Sequence, residues 1–303
     1  MDLFNVSATF KVDFLSVTRP QAKGLRQTFL FILTITAGKL IAASTRECMM
    51  KGDGPPVTMR EKIEKQGNWI FRYRSYLPLG LIIMILYGMR DYTYLREDYL
   101  INLWWEFFCL FIAFSGLALR IYTIGHVPKG TSGRNTRSQV ADVLNTTGIY
   151  SVVRNPLYVG NFLIWFAAGL LPRDWWASVA IVTVFYLYHE RIVFAEEEYL
   201  RRKFGEQYVQ WARATPAFIP NLKLWIPPKH DFSLKTVIRR ECHGFMGIIA
   251  TFSLLEAMGN YSVKGVFALD FAWKILLYAG VALYLIVLLV DRNTDILKEE
   301  GRS

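Results

Sequence analysis

The chain has 303 residues, of which 53% are hydrophobic and 15% aromatic, and it carries a formal net charge of +10 at pH 7. Its mean hydropathy of +0.23 excludes an ordinary soluble domain and predicts an all-α polytopic membrane protein. Its three cysteines and four histidines share no metal-ligand spacing, which excludes a disulfide framework and a zinc cluster, and we predict that it binds no metal.

Apolar segments recur along the whole chain, and a spanning helix needs roughly 20 apolar residues. Segments that approach this length lie at 75–89, 99–119, 157–171, 175–188 and 275–290. Two more, at 28–43 and 245–257, each contain one charged residue, Lys39 and Glu256. We therefore predict six to seven transmembrane helices. They group as N-terminal membrane segments (1–99), a core (100–222) and C-terminal membrane segments (223–303).

Lysine and arginine residues are concentrated in alternate loops. Residues 46–74, 120–154 and 196–244 contain seven, five and nine of them, whereas residues 90–99, 172–174 and 260–270 contain two, one and one. This alternation is the positive-inside pattern, so the basic loops should face the cytoplasm. The excess charge then favours an anionic lipid surface, and no nucleic-acid-binding module is indicated.

Residues 120–156 form a soluble stretch rich in glycine, serine, threonine and asparagine, which is typical of a loop. Its cations Lys129, Arg134 and Arg137 can donate hydrogen bonds to a phosphate or a carboxylate. We therefore expect these three residues to bind an anionic head group. The alternative is a positively charged loop that only sets the membrane topology.

Arg154, Asn155 and Pro156 stand directly in front of the apolar segment that ends at Leu171. Asn155 is predicted to cap the next helix through its side-chain oxygen, and Pro156 suits a first helical position because it has no N–H to leave unpaired. The helix would then begin at Leu157, and its unpaired N–H groups beside Arg154 would attract an anion. The alternative is simple capping beside an arginine that extends to the membrane surface.

Only three residues separate the segments 157–171 and 175–188, which predicts an antiparallel helical hairpin. The second helix should continue to Gly205, where glycine breaks it locally. One apolar face recurs at three- and four-residue intervals, at Leu200, Phe204, Tyr208 and Trp211. Because the two segments are joined as a hairpin, their cytoplasmic ends should converge.

Three consecutive glutamates, residues 196–198, lie on this second helix. Two of them have a cation one helical turn later and are expected to pair with it, as Glu197–Arg201 and Glu198–Arg202. Glu196 has no such neighbour and shares the apolar face at the membrane boundary, which makes it a candidate functional residue. The alternative is a distant ion pair with Arg154 or Arg191.

The segments "TGIYSVVRNPLYVGN" and "EEEYLRRKFGEQYVQWARATPAFIP" resemble motifs of the isoprenylcysteine carboxyl methyltransferase and phospholipid methyltransferase superfamily. The family motifs are G-x-Y, R-H-P-x-Y-x-G, E-E-x-x-L-x-x-x-F-G-x-x-Y and P-x-x-I-P. The matching residues are Gly148, Tyr150, Arg154, Pro156, Tyr158, Gly160, Glu196, Glu197, Leu200, Phe204, Gly205, Tyr208, Pro216, Ile219 and Pro220. The resemblance covers residues 100–220, and the stretch 131–161 also resembles bacterial members linked to lipid A phosphate methylation. This second resemblance implies a multi-pass protein of a bacterial inner membrane with its active site facing the cytoplasm.

The resemblance implies an S-adenosylmethionine-dependent methyltransferase built from membrane helices, without a Rossmann domain, whose catalytic core is residues 100–222. It implies that the cofactor is lined by Tyr150, Asn155, Pro156, Tyr158, Gly160 and Glu197, and that Arg154 and Glu196 act in catalysis. The family's histidine is Asn155 in this chain. Asparagine keeps hydrogen bonding but cannot carry a proton, so a positioning role is compatible with it and an imidazole role is not.

An acidic oxygen needs no general base to accept a methyl group from a sulfonium, because it arrives deprotonated and the opposite charges neutralise. We therefore predict a lipid phosphate or carboxylate, or a lipidated head group, as the acceptor at the bilayer. A phospholipid amine would instead need a proton acceptor, for which Glu196 is the candidate. Two other classes stay open, a non-catalytic transporter or assembly subunit and a reductase-like enzyme with a nicotinamide-phosphate site.

Overall fold

The computed structural model describes residues 58–74, 76–128 and 141–299, apart from the side chains of residues 77–79. The helices are α1 (Met59–Arg72), α2 (Leu77–Gly88), α3 (Tyr99–Gly125), α4 (Ile149–Val152), α5 (Pro156–Leu170), α6 (Trp175–Phe204), α7 (Glu206–Ala214), α8 (Leu234–Lys264) and α9 (Phe271–Asn293). Short 3-10 turns lie at Met89–Asp91, Leu95–Glu97 and Leu222–Leu224. The all-α prediction is confirmed for these residues, and the three-part division of the chain stays a prediction.

Among the described residues, four helices are long and apolar enough to cross a membrane, namely α3, α6, α8 and α9, with 27, 30, 31 and 23 residues. The membrane prediction is thus confirmed, but the count of six to seven spans is not. Helices α2 and α5 have only 12 and 15 residues, short of the roughly 20 that span a bilayer. The predicted segment 28–43 lies outside the described residues.

Short polar side chains and one glycine set the ends of the helices that carry the motifs. Asp98 Oδ1 accepts a hydrogen bond from the Leu100 N–H at 2.7 Å at the start of α3, and Asp174 Oδ1 accepts one from the Trp176 N–H at 3.1 Å at the start of α6. Between α6 and α7, Gly205 has φ +56° and ψ −129°, a conformation that is almost restricted to glycine. The predicted helix break at this residue is confirmed.

Helix α3 packs against α5 and α8, while α6 packs against α5 and α1, and α9 packs against α8. At the crossing of α3 and α5, Gly116 faces Gly160 so closely that a β-carbon on Gly116 would lie 2.5 Å from the Gly160 carbonyl oxygen. The absence of side chains at both positions lets the two backbones touch. This contact holds the N-terminal end of α5 against α3, and the candidate site lies at that end of α5.

Replacing Gly116 by valine is expected to destabilise the fold by about 1–3 kcal/mol, because the new β-carbon would overlap backbone that cannot move cheaply. Thermal unfolding of the purified protein in detergent measures the effect. Gly247→Val on α8 is the matched control, since a β-carbon there meets nothing within 4 Å. If both variants unfolded at the same temperature, the close crossing of α3 and α5 would be disproved.

Candidate functional site

The hairpin of α5 and α6 brings the two halves of the motif together. Helix α5 ends at Leu170, a short connection follows, and α6 begins at Trp175 and runs back along α5. The start of α5 therefore lies beside the glutamates of α6, and side chains of the two segments are in contact. The predicted hairpin and the convergence of its ends are both present.

The Glu196 carboxylate accepts a hydrogen bond from an aromatic hydroxyl of the other helix. The Tyr158 hydroxyl donates to Glu196 Oε1 at 3.0 Å, and the Tyr158 ring meets His189 edge to face, with the ring centroids 5.0 Å apart. Arg154 and Arg191, the expected alternative partners, each pair with a different glutamate. Tyr158 is thus the residue that ties Glu196 to the start of α5.

Arg154 pairs with the second glutamate of the motif. Its Nη1 lies 3.4 Å from Glu197 Oε1, so the predicted local pair of Glu197 with Arg201 is wrong. The fold brings a cation from another segment to Glu197, and that contact replaces the one along the helix. The predicted pair of Glu198 with Arg202 is confirmed, with Oε1 and Nε 3.6 Å apart.

The side chain of Asn155 bonds to the segment that follows α7 and does not cap α5. Its backbone occupies the cap position, but no hydrogen bond joins its side chain to the first helical turn. Instead Asn155 Nδ2 donates to the Ala217 carbonyl oxygen at 3.2 Å. The predicted side-chain cap is therefore wrong, because the amide is engaged by a distant segment. The helix also begins at Pro156, one residue earlier than predicted.

Residues 216–226, called the strap below, are fastened along the segment that precedes α5. The backbone bonds are Arg154 N–H to Pro216 O at 2.9 Å, Asn221 N–H to Val152 O at 3.0 Å, and Gly148 N–H to Ile226 O at 2.9 Å. Sequence reasoning did not foresee this pairing. The only signal for it was the P-x-x-I-P motif at Pro216, Ile219 and Pro220, whose spacing says nothing about its partner.

A cavity of about 670 Å³, called the motif cavity below, opens between α1, α6 and α7. It is lined by Arg60, Ile63, Arg154, Phe194, Glu197, Glu198, Arg201, Tyr208, Val209, Ala212 and Arg213. Three of its polar atoms, Arg154 Nε, Glu197 Oε1 and the Tyr208 hydroxyl, are buried without a hydrogen-bond partner. Such atoms are rare in folded proteins and indicate that a polar ligand completes the site.

Tyr208 reaches the motif cavity from α7 and is only 4% exposed. Burial, and after it the nearby Glu197 carboxylate, raises the pKa of Tyr208 above its ordinary value. The phenol therefore stays protonated at neutral pH and has a hydrogen to donate. With Arg154 as a cation and Glu197 as an acceptor, the cavity offers three different polar functions to one ligand.

The remaining predicted residues are placed differently. Gly160 contacts α3, where a β-carbon would lie 2.6 Å from Arg120 Cγ, so packing alone accounts for it. Tyr150 accepts a hydrogen bond on its carbonyl from Trp211 Nε1 at 3.1 Å. Of the predicted cofactor residues, only Glu197 lines the motif cavity. The predicted head-group residues, Lys129, Arg134 and Arg137, lie outside the described residues.

An ion pair that the sequence did not indicate joins the partly buried Arg120 to the buried Glu241. Arg120 of α3 donates to both carboxylate oxygens of Glu241 on α8, at 2.8 and 2.7 Å, and to Asn161 Oδ1 of α5 at 2.6 Å. Three helices are thus joined by one guanidinium. The sequence feature that could have indicated this ion pair is that Arg120 directly follows the uncharged run 107–119.

Comparison with known proteins gives one family. Residues 108–207 match the phospholipid methyltransferase family. The chain is 39% identical over 79 residues to a protein-S-isoprenylcysteine O-methyltransferase B of Arabidopsis thaliana, which is 25% of this chain and 39% of that protein. It is 32% identical over 78 residues to a protein-S-isoprenylcysteine O-methyltransferase of Schizosaccharomyces pombe, which is 26% of this chain and 33% of that protein.

A further relative bears a different description. A nickel-cobalt-cadmium resistance protein of Alcaligenes xylosoxydans xylosoxydans is 35% identical over 94 residues, which is 31% of this chain and 41% of that protein. The chain therefore spans about two fifths, or less, of the length of these curated relatives. No solved structure matches it.

Proposed function

We propose that the chain is an integral-membrane, S-adenosylmethionine-dependent methyltransferase, because residues 108–207 match the phospholipid methyltransferase family and part of the chain is similar to two protein-S-isoprenylcysteine O-methyltransferases. The acceptor is an acidic oxygen of a lipid or lipidated head group, either a phosphate or a carboxylate. The protein lies in an inner membrane, and the site is on the cytoplasmic side, which is the side that the basic loops face. The water-soluble cofactor reaches it from the cytoplasm and the acceptor reaches it from the bilayer.

The observation that carries this function is the group of three buried polar atoms without a hydrogen bond at the motif cavity, where Glu197 Oε1 has only its ion-pair contact with Arg154. A buried polar atom without a partner costs free energy, and a volume of about 670 Å³ is in the usual range for a small-molecule site. The three functions suit a cofactor together with an anionic acceptor. Glu197 Oε1 would accept from the ammonium or ribose hydroxyls of the cofactor, and the Tyr208 hydroxyl would donate to a ring nitrogen or oxygen of the cofactor. Arg154 Nε would stay available for the reacting oxyanion.

Positioning is the main task that remains for the protein. When bound, S-adenosylmethionine would supply a methyl group on a sulfonium for transfer to an anionic oxygen, and the sulfur would keep the electron pair of the broken bond. Arg154 would hold the attacking oxyanion, and well-oriented reactants can contribute about 7–11 kcal/mol. Tyr158 would keep Glu196 oriented at the edge of the site. Because an acidic oxygen carries no proton to remove, the asparagine at position 155 is no obstacle.

Glu197→Gln is expected to weaken S-adenosylmethionine binding by about 10- to 100-fold, because a charged hydrogen-bond acceptor is lost while the shape is kept. Isothermal titration of the full chain in detergent measures the dissociation constant. Glu190→Gln is the matched control, since Glu190 lies on the same helix and pairs with Arg191. Unchanged affinity in Glu197→Gln would remove this residue from the site, and binding of NADPH in place of S-adenosylmethionine would favour the reductase-like alternative.

The acceptor is tested by incubating the protein with total membrane lipid and methyl-labelled S-adenosylmethionine. A methyl group on a carboxylate is released by alkali, whereas methyl groups on a phosphate or an amine are retained and are told apart by the fragment masses of the labelled lipid. We expect the label either in an alkali-labile carboxylate ester or in a methyl phosphate fragment. Label in an N-methylated amine fragment would instead identify an amine N-methyltransferase with Glu196 as the proton acceptor, and the absence of label together with the absence of cofactor binding would refute the enzyme.

A further inference from the structure

A second cavity, of about 790 Å³, lies between the end of α7 and the strap. We call it the strap cavity. Its charged lining residues are Arg154, Arg213 and Lys223, and no aspartate or glutamate is among the described residues that line it. The motif cavity, in contrast, includes Glu197 and Glu198. The strap cavity is therefore the more strongly cationic of the two and is suited to an anion.

The two cavities share one wall. Arg154, Ala212 and Arg213 line both of them. On the side of the motif cavity, Arg154 Nη1 contacts Glu197, and its buried Nε has no hydrogen-bond partner. A guanidinium has donors along two edges. An oxyanion bound in the strap cavity can thus contact the same arginine that borders the proposed cofactor cavity.

The rim of the strap cavity is apolar on its outer side. Ile219 is 83% exposed and Leu222 is 74% exposed, and both line the cavity. Trp225 and Ile226, just beyond in the strap, are also exposed. Lysine beside exposed aliphatic and tryptophan side chains is typical of a surface that lies at the boundary between lipid and water. Acyl chains can therefore contact this rim while a charged group enters the cavity.

We propose that the strap cavity binds the phosphate-bearing head group of the lipid acceptor, a role that rests on the proposed methyltransferase function. Arg213 and Lys223 are its specificity-determining residues, and they present a phosphate oxygen to Arg154 at the wall between the cavities. Two to three cations match a phosphate with up to two negative charges better than they match a single carboxylate. The strap, pinned to the residues before α5, thus forms the acceptor side of the site.

The double variant Arg213→Gln/Lys223→Gln tests this role in the full chain in detergent. Binding of short-chain phosphatidic acid, measured by thermophoresis without cofactor, is expected to weaken by about 10- to 100-fold, as for the loss of charge-assisted hydrogen bonds. Turnover is measured on the single variant Lys223→Gln, because Lys223 lines the strap cavity but not the motif cavity. Its KM for the lipid should rise severalfold, while kcat and the affinity for S-adenosylmethionine stay close to those of the natural chain. Lys229→Gln is the matched control, because Lys229 is an exposed lysine just past the strap that does not line the cavity.

Three outcomes would overturn the assignment. Equal phosphatidic acid affinity in the double variant and in Lys229→Gln would remove Arg213 and Lys223 from the head-group site. Tighter binding of a short-chain fatty acid than of phosphatidic acid would replace phosphate by carboxylate, and equally tight binding of a short-chain diacylglycerol would show that the head-group charge is not recognised. If the natural chain binds phosphatidic acid but not S-adenosylmethionine, the proposed enzyme fails and the anionic lipid site remains.

Discussion

Arg154→Gln is expected to lower kcat/KM for methyl transfer by about 10²–10³-fold, the usual cost of removing one donor to a reacting oxyanion. Among the described residues, two charged residues, Arg154 and Arg213, line both cavities. The loss of Arg154 removes the cation from the wall between cofactor and acceptor and leaves the buried Glu197 Oε1 without its ion pair. Both kcat and KM should therefore change, in contrast to the strap variant.

Arg191→Gln is the matched control for this prediction. Arg191 lies on α6 near the same end of the hairpin, but it pairs with the neighbouring Glu190 and lines neither described cavity. The backbone N–H of Arg154 still bonds Pro216 after substitution, so the strap should stay in place, and thermal unfolding verifies that. A folded Arg154→Gln protein with more than a tenth of the natural activity would refute the central role of this residue.

The helices of the site could be predicted from the sequence because their signals are local. The uncharged runs, the Asn-Pro pair and the glycine at position 205 predicted the hairpin and the end of α6. The strap could not be predicted in this way, because backbone hydrogen bonds carry no side-chain signature. The error at Asn155 has the same cause, since its amide bonds Ala217, which is 62 residues away.

The pairing of charges shows the same division between local and distant contacts. The spacing rule found Glu198 with Arg202, but it assigned Glu197 to Arg201, whereas the fold supplies Arg154. Position on the apolar face correctly singled out Glu196 as lacking a local cation, yet its partner proved to be the Tyr158 hydroxyl. A helical wheel predicts which residues of one helix are close enough to pair. Whether a glutamate of α6 pairs with such a residue or with a residue of another segment depends on how α5 packs against α6.

Glu241→Ala is expected to destabilise the fold by about 2–3 kcal/mol, because it removes two charge-assisted hydrogen bonds and leaves the partly buried guanidinium of Arg120 without its counter-charge. Glu241 is 4% exposed and accepts two hydrogen bonds from Arg120, which also donates to Asn161. Unfolding in detergent, followed by loss of helical circular dichroism, measures the change. Asp291→Ala is the control, since Asp291 and Arg239 are partly exposed and 3.8 Å apart, and such pairs contribute at most about 1 kcal/mol.

The double variant Arg120→Leu/Glu241→Leu separates the cost of an uncompensated charge from the value of the pair itself. Replacing both partners by apolar side chains removes the buried charge, so most of the lost stability should return. Activity should not return with it, because Arg120 also fixes Asn161 one helical turn after Tyr158, and so orients the start of α5 beside Glu196. If the single and double variants were equally unstable, the loss of stability would come from losing the ion pair between the helices and not from leaving Arg120 without its counter-charge.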